Sequence, residues 1–236
     1  MTEEIAAGDA YATETTATVT DVTDEGVVLD RTVFYPRGGG QPGDTGVLEW
    51  DGGSVAVADT FKRSGVLIHV PDGPLPQVGT GVVARIDWDR RHLLMRTHTA
   101  LHVLTAVIWR DFGAKVTGGN MEPGRARMDF ELESISVEFG REVGVRLNAA
   151  LDQEHEIEVL FVPRGEALAD PDLIRTKVNL IPDSVDPIRV IRIGDLDKQA
   201  DGGTHVANTR EVGPVRVVKT ESKGKGNKRM RIELEA

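Results

Sequence analysis

The feature that most constrains this chain is a long run without helix breakers. The sequence carries 26 glycines and 11 prolines, yet none falls between Asp87 and Phe112, and Gly113 closes the run. Such a segment predicts a helix, with Asp87 or Asp89 placed to cap its first turn and a glycine to end it. Leu94, His98, Leu101, Thr105 and Ile108 recur at helical spacing on or near one face, which predicts a stripe against a core. His98 and His102 lie one turn apart on the same side of that helix. Two imidazoles so related can converge on one metal ion. The same spacing also suits two histidines satisfied by ordinary hydrogen bonds, so both readings stand at this point.

Residues 1–86 read differently. Short β-rich runs at Ala17–Thr20, Gly26–Leu29, Gly46–Leu48, Ser54–Val57, Val66–His69 and Gly81–Ile86 are separated by Gly, Asp and Pro, which predicts a small β-barrel domain. Between the second and third runs lies F-Y-P-R-G-G-G-Q-P-G-D-T-G, residues 34 to 46, the densest glycine cluster in the chain. Glycine there can serve a bent turn, or it can let backbone approach a ligand. The marks of a phosphate cradle are missing, because no helix-forming segment follows and no Gly-Lys-Ser/Thr ending is present.

Beyond the helix, residues 87–236 read as a second, α+β domain with helices on a mainly antiparallel sheet. A hairpin is expected from Lys115–Met121 and Ala126–Leu132, turning at Glu122–Arg125. Ser136 is placed to cap a second helix through about Asp152, and strands follow at Glu156–Val162 and Ile188–Ile193. Residues 163–186 read as mostly irregular, with a short helix near Glu166. Val215–Lys219 and Lys228–Leu234 form a closing hairpin. Between these strands stands a second chemical cluster, D-G-G-T-H at 201 to 205. Its two glycines could turn Asp201 and His205 toward one point, giving with His98 and His102 three imidazoles and one carboxylate. Taken alone, Asp-Gly-Gly is also an ordinary turn.

Cysteine is absent, which excludes disulfides and thiolate ligands and leaves His, Asp, Glu and Asn for any metal. No apolar run approaches the ~20 residues of a bilayer span, and the polar start lacks the pattern of a secretion signal. A cytoplasmic protein with no membrane contact is expected. The formal net charge is -10, spread along the chain as in an acidic surface adapted to high salt or in an ordinary acidic surface. A nucleic-acid partner would therefore be met through local basic patches. Candidates are Arg90, Arg91 and Arg96 beside the helix, and Lys219, Lys223, Lys225, Lys228, Arg229 and Arg231 near the C-terminus; a solvated basic face is the alternative. No sequence feature sets an oligomeric state.

R-T-H-T-A-L-H at 96 to 102, D-G-G-T-H-V-A-N-T-R-E-V-G at 201 to 213 and the glycine motif at 34 to 46 occur in the order and approximate spacing of the alanyl-tRNA synthetase editing domain. Over nearly its full length the chain resembles the free-standing relatives of that domain, the AlaX-type alanyl-tRNA editing proteins. The resemblance implies a trans-editing hydrolase, an aminoacyl-tRNA deacylase for mischarged tRNA(Ala), chiefly Ser-tRNA(Ala) with Gly-tRNA(Ala) as a second substrate. It implies one Zn²⁺ per chain, with His98, His102 and His205 matching the family's zinc-binding histidines. The fourth family ligand is a cysteine, and Asp201 stands in its place, keeping the negative charge on a harder donor. Thr117 matches the family threonine that senses the seryl hydroxyl, and Gln41 the glutamine of the glycine motif. Gly38, Gly39 and Gly40 then become part of the substrate wall, together with Arg96. Two other classes fit the same residues: a tRNA-binding module with a structural zinc, and a metal-dependent hydrolase of small esters.

Overall fold

All six β-rich runs at the start of the chain become strands of one closed barrel. The computed structural model describes residues 2–170, 173–174 and 181–235. It divides the chain into two compact units, Met1–Leu94 and Met95–Ala236. The division falls inside the long helix rather than at the 86/87 boundary expected from composition.

The first unit contains β1 (Glu3–Glu4), β2 (Glu14–Thr23), β3 (Gly26–Leu29), β4 (Arg31–Thr32), β5 (Gly46–Trp50), β6 (Gly53–Arg63), β7 (Val66–Asp72) and β8 (Gly81–Ile86). The barrel runs β2-β3-β7-β6-β5-β8, with every neighbouring pair antiparallel. The two-residue β1 and β4 pair in parallel outside it. Alternation builds the core: Val55 and Val57 of β6 and Val82, Ala84 and Ile86 of β8 point inward beside Val19, Val27, Leu29 and Leu48. Each of these Val, Leu and Ile side chains contributes about 1.5–3 kcal/mol on burial.

The glycine motif is a tight turn. Gly39 and Gly40 have φ of 58° and 86°, and Gly38 and Gln41 exchange both backbone hydrogen bonds at 3.1 and 2.9 Å. Two successive left-handed residues are the signature of a type I′ turn, which glycine adopts without strain. At Gly43 the reason for glycine is close approach, since a Cβ there would overlap the Thr60 backbone. Asp44 then accepts the Tyr35 N–H at 2.6 Å and pairs with Arg91, both side chains being essentially buried.

The long helix, α1 (Trp88–Phe112), forms where the breaker-free run predicts it. Asp87 supplies the cap, its Oδ1 accepting the Arg90 N–H at 3.1 Å. Every residue from Thr97 to Ile108 is buried. The helix is therefore enclosed on all sides over that stretch, whereas the sequence pattern suggested a single apolar stripe. Part of the difference lies in Thr97 and Thr99, small polar residues off that stripe, which already included Thr105. In the fold the threonine hydroxyls have partners, Thr105 donating to the Leu101 carbonyl at 2.9 Å and Thr97 accepting from the Gly124 N–H at 3.0 Å.

The remaining elements are β9 (Val116–Glu122), β10 (Arg125–Phe130), α2 (Val137–Leu151), β11 (Ile157–Val162), α3 (Arg164–Ala169), β12 (Ile188–Ile193), β13 (Asp197–Ala200), β14 (Val215–Ser222) and β15 (Lys228–Leu234). They form two antiparallel sheets, β14-β15-β10-β9 and β11-β12-β13, so an α+β architecture follows the barrel. Ser136 caps α2 by accepting the Phe139 N–H at 3.0 Å. Gly140 lets α2 lie close on Thr220 of β14, and Asn148 bonds both the N–H and the carbonyl of Val215. The short helix expected near Glu166 is α3; of the irregular stretch around it, residues 171–172 and 175–180 lie outside the described residues. No helix is long and apolar enough to cross a membrane.

Candidate metal centre

Two elements of the second unit supply the centre. On α1 the i, i+4 spacing sets His98 edge-to-face with His102, ring centroids 5.1 Å apart. After β13 the chain turns at Gly202–Gly203, and the Asp201 carboxylate makes the turn by accepting the Gly203 N–H at 2.6 Å. This local side-chain hydrogen bond is what an Asp-Gly-Gly sequence favours. It also aims His205 at the helix, with ring centroids 4.4 Å from His98 and 4.6 Å from His102. Thr99 holds the far edge of that ring, its Oγ1 3.1 Å from His205 Nδ1 across 106 residues of sequence.

The ligand atoms of His98, His102, Asp201 and His205 lie within 4.8 Å of one another. Asp201 Oδ1 is 3.6 Å from His98 Nε2 and 3.9 Å from His102 Nε2, and Oδ2 is 3.1 Å from His205 Nε2. One carboxylate oxygen thus faces the helix while the other also holds the loop. Asp201 is anchored further by Arg189, whose Nη1 donates to the Asp201 carbonyl at 3.0 Å.

Burial and proximity set the protonation. Burial lowers His98 to about 4. Burial, with His98 alongside, holds His205 well below its usual value. Burial alone would raise the Asp201 carboxyl, but the surrounding imidazoles of His98, His102 and His205 hold it well below the usual carboxylate range. His102 moves the other way: burial opposes its charge, yet Asp197 and Asp201 raise it to about 9. Two imidazoles held neutral and an ionised carboxylate directed at one point could serve as donors to a divalent cation, for which His102 would also have to give up its proton.

Gln41 is buried in the first unit, next to Gly38, Gly39 and Gly40 at the exposed or half-buried turn. Thr117 is exposed on β9 and donates its hydroxyl to Asn227 Oδ1 at 3.0 Å. Arg96 is half-buried, with Nε and Nη2 on the Val212 carbonyl at 3.1 and 2.9 Å.

The basic candidates need correction. Arg91 cannot meet a phosphate, because it is fully buried on Asp44 and also donates to the Val33 and Ala10 carbonyls at 2.7 and 3.0 Å. Lys228 is buried with its ammonium on the Gly224 carbonyl at 2.7 Å. Arg229 is committed to Asp129 at 2.7 and 2.8 Å, and Arg231 to Glu221 at 2.7 Å. Lys223 and Lys225 are exposed.

Sequence reasoning missed Asp197 and Gln199. They were legible in one respect: period-two alternation in a strand puts positions 197, 199 and 201 on one face. A run as polar as Asp-Lys-Gln-Ala does not announce a strand.

Comparison with known proteins adds an independent view. The family of tRNA synthetases class II (A) matches residues 4–90, and the threonyl and alanyl tRNA synthetase second additional domain matches residues 188–231. The chain is 38% identical over 234 residues to an alanyl-tRNA editing protein AlaX-M of Saccharolobus solfataricus, covering 98% of both chains. It is 39% identical over 241 residues to the AlaX-M protein of Methanosarcina barkeri, covering 99% of both. An alanine–tRNA ligase of Thermococcus kodakarensis is 38% identical over 217 residues, which is 90% of this chain and 23% of the ligase.

Proposed function

The chain belongs to the AlaX-M family of alanyl-tRNA editing proteins, which are deacylases and hence hydrolases, and from that premise we propose that it deacylates mischarged tRNA(Ala) in trans. Its substrates are Ser-tRNA(Ala) first and Gly-tRNA(Ala) second. The observation that carries the reading is the convergence of His98, His102, Asp201 and His205 in a chain similar to AlaX-M proteins along its whole length.

Zinc suits the donor set. Three imidazole nitrogens and a carboxylate oxygen are zinc's usual donor types, and here the four ligand atoms lie within 4.8 Å of one another. His98, His102, Asp201 and His205 would hold the ion, and a bound zinc supplies Lewis acidity toward an ester carbonyl or a water. Asp201 brings one negative charge, which the Gly203 N–H steadies and toward which Arg189 Nη1 lies at 4.0 Å.

The reaction cleaves the ester between the amino-acid carboxyl and a ribose hydroxyl. Water adds its oxygen to the carbonyl carbon, and its proton leaves with the ribose oxygen. Selectivity must accept serine and spare the smaller alanine, which exclusion by size cannot do. Thr117 is the proposed sensor. Its hydroxyl donates to Asn227, which leaves its oxygen lone pairs to accept a seryl O–H. Alanine would leave that group unpaired, and sites built on such a bond discriminate by roughly 10⁴. Gln41, the glycines at 38–40 and Arg96 are assigned to the substrate wall on the family motif, and the exposed Lys223 and Lys225 to tRNA phosphates.

Deacylation of Ser-, Gly- and Ala-tRNA(Ala), with and without chelator, tests the proposal. Loss of the seryl ester with Ala-tRNA(Ala) spared is expected. Rapid loss of Ala-tRNA(Ala) would refute editing, and binding without hydrolysis of any species would favour a tRNA-binding module. Thr117→Val is expected to slow seryl hydrolysis by at least tenfold with zinc content unchanged; equal rates would remove Thr117 from the mechanism.

A further inference from the structure

Beside the four converging residues lies a second carboxylate that is not one of them. The Asp197 side chain is completely buried, and its Oδ2 lies 3.7 Å from His102 Nδ1. Gln199, also buried, donates to that same oxygen at 2.6 Å. His102 Nδ1 is a buried atom with no hydrogen-bond partner among the described residues, while Nε2, on the opposite edge of the ring, faces Asp201. The imidazole therefore has one edge toward the cluster and the other toward a carboxylate just outside hydrogen-bond range.

The chemistry of imidazole links the two edges. If Nε2 gives its lone pair to a metal, the neutral ring must carry its proton on Nδ1, and a buried N–H needs an acceptor. The only carboxylate near that edge among the described residues is Asp197. A shift of the ring by under an ångström would bring Nδ1 within about 3 Å of Oδ2. Partners of this kind fix the tautomer and orientation of a ligating histidine, and they strengthen it as a donor.

We propose that Asp197 is the positioning residue for His102, accepting its Nδ1–H when Nε2 is committed to the metal, and that Gln199 aims the carboxylate. The inference deepens the metal reading above and rests on it. The three side chains form a relay from the middle of a polar strand to the helix. Asp197 touches neither ion nor substrate; it acts by fixing which nitrogen of His102 is free to bind.

The test is zinc affinity, measured by competition with a chromophoric chelator on wild-type protein, Asp197→Asn and Gln199→Leu, alongside the melting temperature of each metal-free form. Asp197→Asn keeps the side-chain volume and removes the charge. Zinc binding about 10–100-fold weaker is expected, with the metal-free melting temperature retained. Zinc binding within twofold of wild type in folded Asp197→Asn overturns the inference alone. Wild-type protein that takes up no zinc overturns the metal reading, and the inference with it. Should Asp197→Asn fail to fold, Gln199→Leu decides, because it keeps the carboxylate and removes the amide that aims it. A several-fold loss of zinc affinity then supports the relay, and unchanged affinity overturns it.

Discussion

The protein buries two polar clusters that follow opposite rules. In the first unit Arg91 is wholly enclosed, yet its guanidinium meets the Asp44 carboxylate and the carbonyls of Val33 and Ala10. His69, equally buried, places Nδ1 3.1 Å from the Val27 carbonyl and Nε2 2.8 Å from Thr32 Oγ1. A carbonyl only accepts, so Nδ1 carries the proton and Nε2 accepts from the threonine. Every edge of that ring is answered. In the second unit three imidazoles crowd one carboxylate, and one ring nitrogen has no hydrogen-bond partner among the described residues. Complete satisfaction marks a polar cluster that holds a fold together. Converging lone pairs without matching donors mark one arranged for something else.

The contrast can be broken at several points, and the largest effect is expected in the first unit. Arg91→Met or Asp44→Leu alone leaves a buried charge unpaired, and each should cost about 3–5 kcal/mol in urea unfolding. The double variant should recover much of that loss; single variants costing under about 1 kcal/mol would show that the pair is not architectural.

Acid is the next lever. Burial lowers His69 to about 4 from 6.5, so between those values the unfolded chain binds the proton and the folded one does not. The stability is fully present above pH 6.5 and is lost as pH falls toward 4, about 3 kcal/mol over the window. The difference between wild type and His69→Gln should show that slope. A difference independent of pH would mean that His69 is charged in the fold.

The smallest of the three effects belongs to the second unit. Zinc at about 100 times its dissociation constant should add about 2.7 kcal/mol to wild-type stability and nothing to His98→Ala. Metal-free His98→Ala should melt close to wild type, because it relieves the crowding of three buried rings. If it unfolds instead, the second cluster is as structural as the first.

What could be read from the sequence follows the range of the interactions involved. The barrel strands, the Asp87 cap, the Ser136 cap and the Asp-Gly-Gly turn are written in neighbouring residues, and they were legible there. The convergence of His98 and His102 with Asp201 and His205 was legible through the resemblance of both motifs to one family, since local geometry alone left each open to an ordinary reading. Arg91 was not, since Asp-Arg-Arg at a helix start looks like surface until Asp44, 47 residues earlier, is known to face it. Strand β13 was hidden because pairing with β12 makes it a strand, not its own composition; Asp197 and Gln199 were hidden with it. The enclosure of α1 escaped notice because threonines count as polar in a pattern, although in a helix a hydroxyl can be satisfied by the turn beneath it.

The carboxylate of Asp201 carries one last consequence. A thiolate in a metal-binding cluster is also a nucleophile that peroxide can carry through sulfenic and sulfinic acids, the later stage beyond ordinary repair. This chain has no cysteine anywhere, and the position that closes its cluster has no comparable redox chemistry. Thiol-directed oxidants and alkylating agents therefore find no target in it, and its donor set is indifferent to the redox poise of its surroundings.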